Sequence, residues 1–299
     1  MAFDASDPRA ALAAFATSAP VPTAFAGAEL GLFYEEPPQE DDANGRTWYI
    51  RGQNFVVAHS EAKPGATFPR ETPDEYCVIV PDRGTPVAIE AEGETASCGG
   101  HSLVIMPPGK GCLTLPEGGR ITRLFSTQSA DLNARCANAE SYAEPHPNLP
   151  PFQPWPAPAG GFKVRVYSLD VPPEPGRFGR IWRCTTMMVN YLDPQMGPRD
   201  IQKLSPHHHD DFEQCSLALD GSFIHHLRWP WTVDMRVWRE DEHPHVRSPS
   251  VTVIPPPAIH TTRGMEPGLN QLVDIFSPPR RDFSEKGWVL NADDYPMPV

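Results

Sequence analysis

The residues best suited by type and spacing to do chemistry are His207, His209, Glu213, Gln214 and, much later in the chain, His260. His207 and His209 are two apart, so on an extended strand both imidazoles point to the same side. A carboxylate or amide follows at Glu213 or Gln214, and a turn glycine at Gly221. His260 stands just after three prolines, Pro255, Pro256 and Pro257. Two histidines on one strand, an oxygen ligand on the next and a third histidine from a distant strand can surround one divalent ion. Imidazole and oxygen donors together suit Zn, Fe, Ni or Mn. Such a set also leaves positions open for water or substrate. The bland alternative is a solvated histidine loop, against which the later His260 weighs. His208 lies between the two ligands and should face away.

A second cluster is SFIHHLRWPW, residues 222–231. On a strand, His226 and Arg228 share one face, while His225, Leu227 and Trp229 share the other. One of these faces should line the cavity that holds the metal. His226 or His225 would then move a proton near neutral pH, and Arg228 would grip a substrate carboxylate in a two-pronged contact. Trp229 and Trp231 would wall the pocket. The alternative is a surface strand whose tryptophans pack against the linker or another subunit. His243 and His245 lie in a charged turn and read as solvated.

The elements that must position these residues are strands. The chain has 299 residues, enough for two ordinary domains. Thirty-seven are proline, a residue tolerated in turns, edges and linkers but not inside helices. One short helix is expected in DPRAALAAFATSA, with Asp7 as N-cap and Pro8 in its first turn. From Thr47 short apolar runs alternate with Gly, Pro and Asp, as in NFVVAHS, EYCVIV and HSLVIMP, the pattern of a β-sandwich or barrel. Residues 144–161, EPHPNLPPFQPWPAPAGG, read as an extended linker between a first domain (1–143) and a second (162–299). The tail is expected to pack across a barrel through Trp288 and Val289.

The halves look like repeats. Pro107-x-Gly109-x-x-Cys112 matches Pro255-x-Pro257-x-x-His260, and FPRETPDEYCVIV matches SPHHHDDFEQCSLAL. The offset is roughly 140–150 residues, which means duplicated domains rather than a solenoid.

These segments resemble the cupin family, whose first motif is H-x-H-x(3,4)-E-x(6)-G and whose second is P-x-G-x-x-H. His207-x-His209-x(4)-Gln214-x(6)-Gly221 fits the spacing with Gln where Glu is usual. Glu213 fits the shorter spacing but leaves one residue too many before Gly221. Gln214 is therefore favoured, with Glu213 kept as the alternative. The resemblance covers roughly residues 47–130 and 163–276. It implies an all-β bicupin, two jelly-roll barrels with a short N-terminal helix and one metal in the second. In the first barrel Arg70 and Thr72 stand for the paired histidines and Cys112 for the last one. Arg cannot ligate a metal, so that barrel is expected to be a scaffold and a dimerisation surface. Cys112 reads as a buried thiol, and Glu75 as a lone carboxylate.

A net charge of −13 without a basic cluster argues against nucleic acid as partner. No run reaches the length of a membrane span. Six cysteines without C-x-x-C pairs read as reduced thiols of a cytoplasmic protein. The expected partner is a small molecule, with a homodimer possible. A fold of this kind hosts many reactions. With neutral Gln214 as ligand the ion keeps its full charge, favouring Lewis-acid isomerase or lyase chemistry on a small oxygenated acid, sugar-like or aromatic compound. With Glu213 the site resembles Fe(II) cupin dioxygenases. A non-catalytic, metal-stabilised binding barrel is the third reading.

Overall fold

A computed structural model describes residues 24–298. The expected N-terminal helix lies outside the described residues. Among the described residues strands dominate, and the helices are single short turns such as Ala130–Asn133 and Arg281–Glu285. The all-β expectation holds.

The strands form two units. The first sheet runs Arg165–Ser168, Glu94–Met106, Tyr76–Ala91, Gly119–Ser126, Phe55–Ala62, Gly45–Arg51 and Glu40–Asp42, with Ala66–Thr72 and Gly109–Leu115 paired beside it. The second runs Glu29–Gly31, Ser250–Ile254, Gln214–Asp220, Leu269–Phe276, Met188–Tyr191 and Arg180–Arg183. A smaller sheet, His245–Arg247, Ser222–Arg228 and Ile259–Gly264, belongs with it.

The units exchange edge strands. Glu29–Gly31 pairs with Ser250–Ile254, and Arg165–Ser168 pairs with Glu94–Met106. Division at residues 143 and 162 therefore does not separate the two sheets. The exchange covers a backbone edge that would otherwise be open for pairing. The Pro-rich stretch between carries no strand or helix and is tied down, Trp155 N donating to Thr185 O at 2.7 Å and Ala159 N to Asp294 O at 2.7 Å.

Strand alternation gives each sheet two faces. One face of each meets the other in a shared apolar core: Ile50, Val57, Ile79 and Ile105 from the first, Leu217, Val251, Val273 and Ile275 from the second. The inward face of the first unit is also apolar, with Val78, Val104, Leu113 and Leu115. Register corrects one expectation there. Arg70 lies opposite Gly111, while Cys112 lies opposite Pro69. Gly111, not Cys112, therefore shares the face of Arg70 and the core residue Leu113. The tail closes one end of the second unit, Phe283 and Val289 packing on Ile181, Met188 and Phe276. No helix among the described residues is long and apolar enough to cross a membrane.

Candidate metal centre

His207 and His260 are fixed to one another by backbone. His207 N donates to His260 O at 3.0 Å and His260 N to His207 O at 2.7 Å, an antiparallel bridge. Residues opposed in such a pair project to one face, and their ring centroids lie 4.4 Å apart. His209 stands 5.1 Å from each ring. One nitrogen from each of the three lies within 4.8 Å of the others.

Hydrogen bonds orient these rings. His207 Nδ1 donates to Ser205 O at 2.8 Å and His260 Nδ1 to Ala258 O at 2.9 Å. A carbonyl can only accept, so in the neutral ring the proton sits on Nδ1 and Nε2 keeps its lone pair. Gln214 Oε1 lies 3.1 Å from His209 Nε2 and 3.2 Å from His260 Nε2. Its Nε2 donates to Ser216 Oγ and to Asp274 Oδ1, both at 3.1 Å. Both amide hydrogens are thus committed away from the imidazoles. Gln214 Oε1 and His260 Nε2 face each other as two acceptors, an arrangement that a cation between them would relieve. Three imidazole nitrogens and an amide oxygen are a donor set for a borderline divalent ion.

Burial keeps His209 and His260 neutral. It lowers His209 to about 3, helped by the nearby Arg280 charge, and His260 to about 4. Burial also pushes the Asp274 carboxyl up to about 6, against the hydrogen bond from Ser216.

Glu213 is not brought to this cluster. Adjacent strand positions face opposite ways, and its carboxylate accepts from Gln53 N at 2.6 Å and Tyr142 OH at 2.9 Å. Those are residues of the first half. Glu75 does the converse, accepting from Thr185 N at 3.0 Å and Tyr295 OH at 2.8 Å in the second half. The two glutamates form a reciprocal clasp.

The proton-transfer and carboxylate-gripping assignments fare unevenly. Opposed residues place His225 beside Thr262 and Leu227 beside His260, on the inward face. His225 is fully buried, its Nδ1 bonded to Thr262 Oγ1 at 2.9 Å and its Nε2 without a partner, and burial lowers it to about 3. His226 and Arg228 face outward. His226 Nδ1 meets His243 Nδ1 at 2.9 Å, and Arg228 forks onto Asp241 at 2.9 and 2.5 Å. Both line a smaller cavity of about 190 Å³ that touches His260 from the outer side, apart from the one lined by His207, Gln214 and Asp274. Trp229 packs on Ile254 and Ala258, and Trp231 is exposed, stacked on Trp238.

A cavity of about 350 Å³ opens beside the cluster, lined by His207, Gln214, His260, Asp274, Thr262 and Arg199 among others. That volume suits a small ligand. Asp274 and Arg199 were missed in the sequence. Asp274 had a signal, a lone acid in the apolar strand LNQLVDIF. Arg199 lies outside the strands and had none.

No family model matches the chain, and no curated protein matches it. Solved structures do. A Lactobacillus farciminis oxalate decarboxylase formate complex superposes with TM-score 0.56 at 13% identity, over 84% of this chain and 86% of that one. Bacillus subtilis oxalate decarboxylase at pH 4.6 gives 0.55 at 13% identity, over 83% and 75%. AerE from Microcystis aeruginosa gives 0.53 at 9% identity, over 77% and 91%. The chain has a cupin-type fold. At these identities the likeness speaks for the cupin-type fold and leaves the chemistry to the site.

Proposed function

We propose that this chain is a metal-dependent bicupin enzyme acting on a small oxygenated organic acid, by lyase- or isomerase-type chemistry. The observation that carries the reading is the convergence of three imidazoles and the Gln214 oxygen beside a cavity of small-ligand size. When bound, a divalent ion supplies a Lewis acid that polarises a substrate oxygen. The neutral ligands leave its charge uncancelled. Likeness to oxalate decarboxylases adds small carboxylic acids to the substrate classes worth testing. The reciprocal bonds of Glu75 and Glu213 support the duplication.

Arg199 takes over the role expected of Arg228. It lines the cavity, and its partners are Thr262 O, Lys203 O and Ser205 Oγ, none of them a carboxylate. Its charge is therefore available to a substrate carboxylate. Asp274, on the cavity wall, can accept or return a proton. The Fe(II) dioxygenase reading rested on Glu213 as ligand, a role its bonds to Gln53 and Tyr142 do not support.

The test is a panel of small mono- and dicarboxylic acids offered to metal-loaded protein, with product formation followed by NMR. Turnover of at least one acid is expected, with KM raised about tenfold or more in Arg199→Leu, the loss of a charge-assisted pair. Binding without turnover across the panel would leave only a binding barrel.

A further inference from the structure

The cupin motif has Glu where this chain has Gln214, and the structure supplies a reason. We propose that Asp274 is a positioning residue for the metal centre: with Ser216 it forces Gln214 to present only its oxygen to the imidazoles. The inference rests on the metal reading above.

The geometry leaves the amide one orientation. Gln214 Nε2 reaches Ser216 Oγ and Asp274 Oδ1, and Ser216 Oγ donates to the same Oδ1 at 2.8 Å. A flipped amide would set its oxygen against the Asp274 carboxylate and its hydrogens toward the cluster, where they would block the approach of a cation. An amide's orientation is decided by such a network. The strands impose the contact, since Ser216 pairs with Asp274 and Gln214 with Phe276 on one inward face.

The same contact disfavours a glutamate. A carboxylate at 214 has no hydrogen to give, so both bonds that hold the amide, to Ser216 Oγ and Asp274 Oδ1, would be lost in a buried setting. Position 214 is an amide because position 274 is an acid. Reversing both should therefore be tolerated where reversing one is not. In Gln214→Glu/Asp274→Asn the new amide at 274 donates to the new carboxylate at 214.

The experiment uses metal-stripped full-length wild type, Asp274→Ala, Gln214→Glu and the Gln214→Glu/Asp274→Asn pair. Zn²⁺ affinity is read by competition with a chelating dye, and the melting temperature of the metal-free proteins is read at pH 8. Asp274→Ala is expected to stay folded and bind Zn²⁺ about 10- to 100-fold more weakly, the usual effect of losing a partner that orients a ligand. Gln214→Glu is expected to melt below wild type, and the pair to recover both the melting temperature and Zn²⁺ affinity to within about threefold of wild type. A folded Asp274→Ala with wild-type affinity, or a pair no better than Gln214→Glu alone, would overturn the proposal. If wild type itself takes up no Zn²⁺, the metal reading falls and takes this role with it, an outcome distinct from the other two.

Discussion

The inward faces of the two units follow the same pleat and are equally buried, yet they hold different chemistry. In the first, Val78, Val104, Leu113 and Leu115 fill the interior. In the second, the corresponding face carries Asn190, Gln214, Ser216, Thr252 and Asp274. Polar atoms without a protein partner occur in both halves, Thr72 Oγ1, Tyr76 OH and Arg123 Nε among them in the first, both side-chain atoms of Asn190, Thr252 Oγ1 and His225 Nε2 in the second. The three imidazoles lie in the second unit, which reads as the working half, and the first as the stabilising half, joined by the shared core and the paired glutamates. The comparison makes sense of Glu75 and Glu213 together, since neither serves a metal and each fastens its own half to the other.

This contrast can be broken by substitution, and the largest effect belongs to the apolar interior. Leu113→Ala should cost about 3–5 kcal/mol in chemical denaturation, the range for a fully buried leucine left as a cavity. Next, Glu213→Ala should cost about 2–3 kcal/mol by stranding a backbone N–H and the Tyr142 hydroxyl. It should leave metal content at the wild-type level, whereas a ligand's loss would lower it. Glu75→Ala should match it in stability.

A third effect is pH-dependent and present in both halves. Burial lowers His59 in the first unit and His225 in the second to about 3. The unfolded chain binds these protons below its ordinary value of about 6.5 and the folded chain does not. Each group therefore lends stability that is fully present above pH 6.5 and is lost as pH falls toward 3, at up to about 1.4 kcal/mol per pH unit. His59→Gln and His225→Gln should each flatten the stability-against-pH slope between pH 6 and 4 by about one proton. An unchanged slope would mean that the ring is not held neutral.

The smallest effect is expected at Thr252. Its hydroxyl has no partner, so Thr252→Val should change stability by less than about 1 kcal/mol and can raise it. A loss as large as that of Leu113→Ala would erase the contrast between the interiors.

Much of this was legible before the structure. Short apolar runs between Gly and Pro gave the all-β class, and the H-x-H spacing with a distant His260 gave the three imidazoles that meet. The spacing to Gly221 favoured Gln214 over Glu213, and their opposite faces agree with it. What stayed hidden depends on non-local pairing. Alternation divided SFIHHLRW into two faces but could not say which points inward, and the roles given to His226 and Arg228 fall on the outward face, beside a separate cavity. The exchange of Glu29–Gly31 and Arg165–Ser168 between sheets is fixed by partners over a hundred residues away or on the far side of the linker. The offset between Gly111 and Cys112 is a one-residue matter of register, which reverses the face of a side chain.

The central claim is that His207, His209, His260 and Gln214 hold one divalent ion. Elemental mass spectrometry of wild type and His207→Ala/His260→Ala, each reloaded with Zn²⁺, Mn²⁺ or Fe²⁺ and freed of excess, tests it most directly. The account predicts about one ion per chain in wild type and less than about a tenth in the variant, both folded. A wild type that retains no ion, or a variant that retains it in full, would contradict it.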